Sequence, residues 1–322
     1  MKPLVSIIIV NWNEQKLLRE CLTSIKDHTD YPNFNVIVVD NGSTDGSVGM
    51  IRRDFSWVKL IESRTPFCFA TANNEGIKYA FREGADYVFL LNNDTKVTHG
   101  DWLVRMVEVA EEIPNVGIVG CKLLYPDGRI QHAGGAISIM GTFHYGQGKL
   151  DNGTYDEIKQ VDYVTGAAFM IKKEVVQKIG LLDEKFSPAF YEETDYCIRA
   201  RIAGYKTIYN PRTTIIHYQG VTVKKRPRLL MNYAWHKNRV RFMLVNFPLK
   251  WVLGTTRYEL KVVIRGVFER KNVARKLSPL NVRLRNDWYM NLIPLFKAYL
   301  SNLKSLREII QRRRNRTSKV WY

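Results

Sequence analysis

The chain has 322 residues, 45% hydrophobic and 12% aromatic, enough to bury a large core, which excludes wholesale disorder. Its formal charge of +18 is uneven: residues 221–322 hold 25 Lys and Arg against 4 acidic residues, a net +21, while residues 1–220 hold 24 against 27, a net −3. The basicity therefore belongs to an appendage. Cys21, Cys68, Cys121 and Cys197 lie far apart with no CxxC pair, which argues against a zinc knuckle or a dense disulfide frame and fits a reduced, cytoplasmic setting.

Residues 4–10 (LVSIIIV) read as a first β-strand, because Asn11, Asn13 and Glu14 follow where a leader peptide would carry small residues for cleavage. Similar runs recur at 35–39, 57–61 and 87–91, with helix-like segments at about 14–27, 44–54, 71–83 and 100–112. That alternation predicts βαβ units and a mainly parallel sheet buried on both faces. After residue 115 the pattern loosens into glycine-rich hairpin signals, a helix near 172–179, a loop at 181–194 and a helix near 194–203. From Val221 onward, apolar and cationic residues interleave in helical stretches at about 229–246, 250–270 and 287–315. No run approaches the roughly 18 apolar residues of a membrane span, since Asn246, Pro248 and Lys250 interrupt the best one. Two domains are expected, 1–220 and 221–322.

Parallel sheets bind ligands at the carboxyl ends of their strands, so the residues just after each strand are the first candidates. They are Asn11-Trp12-Asn13, Asp40-Asn41-Gly42-Ser43 and Asn92-Asn93-Asp94. No GxGxxG follows a strand and no P-loop occurs, which removes the main support for dinucleotide or Walker-type binding. Asp40 suits either a βα turn, with Gly42 supplying an unusual φ and Ser43 or Thr44 capping the next helix, or a carboxylate accepting the N–H of a pyrimidine base. Asp94, three residues past a buried strand, suits either a helix cap or a divalent cation. Glu192, Glu193 and Asp195 crowd a helix start, where the macrodipole favours negative charge or where clustered carboxylates can supply a general base. His217 ends the β-like run TTIIH and is either structural or a metal ligand.

Together, VSIIIVNWNE, VIVVDNGSTDGS, FATANNEGI, YVFLLNNDT, YVTGAAFMIKKEV and YEETDYCIRARIAGY resemble the family 2 inverting glycosyltransferases over about residues 3–220. The nearest likeness is to rhamnosyltransferase-like enzymes of surface-polysaccharide assembly. The resemblance implies an α/β nucleotide-diphospho-sugar transferase (A-type) fold, a nucleotide diphosphate sugar donor (dTDP-rhamnose or a UDP-sugar), and a glycan or lipid-linked acceptor. By position it implies Asp40 as the base-binding acid, with Asn11, Asn13, Asn41, Asn73, Asn74 and Asn93 on the nucleotide-sugar side. It implies Asp94 and His217 as ligands to Mg²⁺ or Mn²⁺, Asn92 standing where many members have the first Asp of a DxD motif. Glu193 falls on the catalytic base, with Glu192 and Asp195 as supporting acids. Pro66 and Cys68 replace the family's Asn and Gly in its NxGFAxAxN segment.

A sugar nucleotidyltransferase, the rival from another class, would need a Gly-rich, Lys/Arg-bearing phosphate loop that VNWNEQKLL lacks. The basic region suits nucleic acid by charge and stacking aromatics, yet carries no recognised motif, so no nucleic acid is expected. Its mixture of apolar and cationic residues favours an anionic membrane surface, with Trp235, Trp251, Trp288 and Tyr289 as headgroup-level anchors. That makes the expected enzyme peripheral on the inner face of the cell membrane. A homo-oligomer interface is the other use of such a region.

Overall fold

The apolar runs become strands and the amphipathic segments between them pack as helices in the computed structural model, which describes residues 2–63, 68–218, 227–269, 289–314 and 316. In chain order the elements up to residue 217 begin with β1 (Val5–Asn11), α1 (Gln15–Asp27), β2 (Phe34–Asp40), α2 (Ser47–Asp54), β3 (Lys59–Glu62), α3 (Phe69–Arg82) and β4 (Tyr87–Leu91). They continue with β5 (Thr95–Val97), α4 (Trp102–Glu112), β6 (Val116–Leu124), β7 (Ile130–His132), β8 (Gly135–Ser138), β9 (Gly141–His144) and β10 (Lys159–Gln160). The last four are β11 (Ala168–Lys172), α5 (Lys173–Ile179), α6 (Glu192–Ile202) and β12 (Lys206–His217).

The main sheet runs β10-β12-β6-β11-β4-β1-β2-β3, with β5 on β12 and β7 on β6. Strands β4, β1, β2 and β3 are parallel, as the βαβ pattern predicts. The looser half adds an antiparallel β11 between β4 and β6, and β12 then runs parallel to β6. Ile7, Ile8, Ile9, Val36, Val38 and Phe89 are fully buried, which is why these strands read as unbroken apolar runs. Gly76 lets α3 lie directly on this surface, since a Cβ there would stand 2.4 Å from Ile8 Cγ2. The register pairs Asn11 with Asp40, so two polar strand ends sit side by side.

The expected cap of α2 is corrected by the turn before it. Helix α2 starts only at Ser47, and Asp45, not Ser43 or Thr44, accepts the Ser47 N–H (3.1 Å). Ser43 faces β1 instead, its hydroxyl oxygen accepting the Asn13 N–H at 2.9 Å.

The chain divides into two compact units: residues 1–137, 142–188 and 192–222, and residues 138–141, 189–191 and 223–322. The second contains α7 (Arg228–Asn246), α8 (Leu249–Glu269), α9 (Tyr289–Lys304) and α10 (Leu306–Arg314). Val240 of α7 packs with Leu295 and Ala298 of α9. Arg239 is buried against Glu259, and Arg241 pairs with Glu308 at 2.7 Å. These two arginines are therefore internal counter-ions, not part of a basic outer face. Of the expected anchors, Trp251 is exposed, while Trp235 is half-buried beside Tyr191 and the Arg239 guanidinium. Trp288 lies outside the described residues, as does Pro66. Among the described residues no helix is long and apolar enough to cross a membrane.

Candidate functional site

The carboxyl ends of β1, β2 and β4 carry one connected set of amides and acids. Asn11, fully buried, donates from Nδ2 to Asp40 Oδ2 (3.1 Å) and to Ser43 Oγ (3.2 Å). Its Oδ1 accepts from Asn93 Nδ2 at 2.8 Å. Asp40 Oδ1 accepts the Ser43 N–H at 2.8 Å, which folds the turn back over the strand end. Asn13, at φ +52°, accepts the Thr44 N–H on Oδ1 at 2.7 Å, and the backbone N–H of Asn41 donates to Asn11 O at 2.7 Å. A carboxylate has about four lone-pair sites, so Asp40 keeps acceptor capacity beyond these two bonds.

The next residue along β4's exit turn begins a second cluster. Thr95 Oγ1 donates to Asn92 O at 2.7 Å and closes the turn that carries Asn92, Asn93 and Asp94. Antiparallel pairing of β5 with β12 sets His217 opposite Thr95, and the Tyr218 N–H donates to Asp94 O at 2.9 Å. As a result His217 Nε2 stands 3.0 Å from Asp94 Oδ1 and 3.3 Å from Asn92 Nδ2, while its Nδ1 is 2.6 Å from Gln131 Oε1. Asp94 and His217 are both buried. A carboxylate oxygen and an imidazole nitrogen so placed are donors that suit a divalent cation. Among the described residues no three His, Cys, Asp or Glu side chains converge on one point.

The acidic cluster heads α6. Gly166 lies against Glu193, a Cβ built there falling 3.7 Å from Glu193 Cβ, and the neighbouring Ala167 O accepts the Asn92 N–H at 3.0 Å. The Gly166-Ala167 step therefore links Glu193 to the Asn92–Asp94 turn. Desolvation pushes the Glu193 carboxyl up to about 7, against the opposing pull of its own and Thr194's backbone N–H groups. Glu192 is buried at the same helix start. Asp195 is fully buried and accepts from Arg199 Nε at 2.9 Å, while Arg199 also donates to Ile179 O and Leu181 O, each at 2.8 Å. Through Arg199, Asp195 braces the loop before α6.

The two asparagines of α3 both make bonds within the protein. Asn74 donates to Leu182 O (3.0 Å) and Glu184 Oε1 (2.9 Å) and accepts the Leu182 N–H (3.0 Å), so its whole amide is taken up by the 182–184 loop. Asn73 donates to Phe69 O at 2.9 Å inside its own helix. Asn74 therefore anchors the segment leading to α6, and the Asn73 amide nitrogen stabilises the first turn of α3. Gly166 and Gln131 are site residues that sequence reasoning missed. Ser43, already a candidate by its place one residue after a strand-end Asp-Asn-Gly, bonds to both Asn11 and Asn13.

Residues 6–180 match the glycosyl transferase family 2, a range that ends before Glu193 and His217. The protein y4gI of Sinorhizobium fredii (strain NBRC 101917 / NGR234) is 34% identical over 253 residues, covering 74% of this chain but only 27% of its own length. The chain thus spans about a quarter of that relative. The N-acetylglucosaminyl-diphospho-decaprenol L-rhamnosyltransferase of Mycobacterium tuberculosis (strain ATCC 25618 / H37Rv) is 22% identical over 310 residues, 86% of this chain and 98% of that one. Among solved structures, the mannosyltransferase PcManGT of Pyrobaculum calidifontis in complex with GDP-Man and Mn²⁺ superposes with a TM-score of 0.57 at 18% identity, covering 94% of this chain and 88% of that one.

Proposed function

The chain belongs to glycosyl transferase family 2, and from that premise we propose that it moves a sugar from a pyrimidine nucleotide diphosphate to an acceptor hydroxyl with inversion at the anomeric carbon. One observation carries this reading: a single hydrogen-bonded path, Asp40–Asn11–Asn93, runs into the Asp94–His217 pair, and the Gly166-Ala167 step joins that turn to Glu193. Asp40 accepts the base N–H, and the Asn11–Asn93 pair fixes its orientation. Asp94 and His217 hold a divalent cation, whose chemistry when bound is Lewis-acid stabilisation of charge on the leaving diphosphate. The imidazole in the ligand set favours Mn²⁺ over Mg²⁺, which prefers oxygen donors alone.

Glu193 takes the proton from the acceptor hydroxyl, whose oxygen attacks the anomeric carbon as its bond to the diphosphate oxygen breaks. A base held near neutral pKa suits that task, since proton transfer is most effective when its pKa is close to the working pH. Because a single displacement suffices, no sugar is attached to the enzyme.

The named activity of the mycobacterial relative supports rhamnose as the sugar and a lipid-linked acceptor; the donor in this reading is dTDP-rhamnose, with a UDP-sugar the other pyrimidine choice. Residues 1–220 form the catalytic domain in this reading, and 221–322 a region that holds the enzyme on the cytoplasmic leaflet. Exposed Ile293, Phe296, Leu300 and Leu303 recur at helical spacing along α9, with Lys297 and Lys304 exposed beside them, and Trp251 and Leu253 are exposed on α8. Apolar side chains interleaved with cations suit an anionic bilayer surface. A donor panel scored by nucleoside diphosphate release, with Mn²⁺ and with chelator, tests the activity. Release from a pyrimidine donor that chelator and Asp94→Ala both abolish is the expected result, and full turnover in chelator contradicts it.

A further inference from the structure

Gln131 grips one residue at two points. Its Nε2 donates to the backbone carbonyl of His217 at 3.2 Å, and its Oε1 stands 2.6 Å from His217 Nδ1. A carbonyl oxygen only accepts, so the nitrogen end of the Gln131 amide must face it, and the oxygen end is left for the ring. Since that oxygen also only accepts, His217 Nδ1 must carry a hydrogen and donate it. In its neutral form His217 then carries its lone pair on Nε2, 3.0 Å from Asp94 Oδ1 and 3.3 Å from Asn92 Nδ2.

The backbone is built for this grip. In the β6–β7 ladder Leu123 pairs with His132 and Leu124 with Ile130, so Gln131 is the extra residue of a β-bulge. Bulges re-aim side chains that a regular ladder would send to the other face. Gln131 is buried, and its hydrogen bonds to His217 satisfy both ends of an amide that would be costly to bury alone.

We propose that Gln131 is a positioning residue that locks His217 in its Nδ1–H form and so aims the Nε2 lone pair at the cation site. The proposal rests on the reading of Asp94 and His217 as metal ligands. Outer partners of metal-binding histidines commonly set tautomer and ring orientation, and losing one typically costs about 10–100-fold in metal affinity.

Two measurements on the full chain test it. In metal-free protein labelled with ¹⁵N-histidine, long-range proton–nitrogen correlation reads the tautomer of His217, its signals assigned by their loss in His217→Gln. The Nδ1–H form is expected, and an Nε2–H form overturns the proposal whatever any variant does. Titration with Mn²⁺ alone, followed by electron paramagnetic resonance, should show Gln131→Leu binding about 10–100-fold more weakly than the wild type. Equal affinity in a folded Gln131→Leu protein overturns the positioning role while leaving the metal site standing. If instead the wild type takes up no Mn²⁺ that Asp94→Ala abolishes, the metal reading fails, and the proposal with it.

Discussion

Asn93 donates to Asn11 at 2.8 Å and thereby joins the exit of β4 to the exit of β1 across the sheet. Asn11 in turn holds Asp40, so one side-chain amide ties together three strand ends. Replacing Asn11 by Asp would put a second carboxylate where a donor stood 3.1 Å from Asp40, and would present another acceptor to Ser43 Oγ. Like charges at that range resist joint ionisation. Asn11→Asp should therefore lower stability and donor affinity more than Asn11→Ala, which leaves unmade bonds at a cost of about 1–3 kcal/mol. Urea unfolding together with nucleoside diphosphate titration checks the order.

Asp195 and Glu193 are two residues apart and should fail in opposite ways. Removing the fully buried partner of Arg199 leaves an uncompensated charge, a loss of about 3–5 kcal/mol in comparable pairs. Asp195→Ala should accordingly lower the unfolding midpoint sharply. Glu193→Gln should leave it nearly unchanged, because Glu193 makes no such bridge among the described residues. An Asp195→Ala protein as stable as the wild type would remove its bracing role.

The exposed stripe on α9 gives a test that does not disturb a core. Ile293, Phe296 and Leu300 are 52%, 66% and 45% exposed, so changing all three to Ser should cost little folding energy. Retention on anionic liposomes should nevertheless fall, and raised salt should weaken the wild type through screening. Liposome binding indifferent to both would point to contact with a second copy of the chain, which sedimentation of the same proteins would reveal.

The strands were legible because their apolar runs are bounded sharply by polar residues: β4 spans Tyr87–Leu91, as its YVFLL run predicts, and β1 and β2 differ from their sequence readings by one residue at each end. Helices α1, α4 and α5 follow their periodicity to within two residues. What escaped depended on contacts distant in sequence. Nothing local shows that Leu182 and Glu184, 108 and 110 residues on, take up the Asn74 amide. Gln131 was invisible for a similar reason, since a one-residue bulge is a property of pairing and not of the strand itself. The 25 cations of the tail overstate those free to face a surface, because burial of Arg239 and Arg241 against Glu259 and Glu308 is set by helix packing.

Glu193 carries the central claim, and the pH profile of transfer compared with donor affinity tests it most directly. Burial raises its carboxyl to about 7, so the proton-accepting form is lost as pH falls below that value. Transfer by the wild type should rise with pH through a limb near 7. Glu193→Gln should bind donor as the wild type does yet transfer about 10²-fold or more slowly, with the limb gone. A Glu193→Gln enzyme that keeps both its rate and the limb would contradict the account and move the base elsewhere.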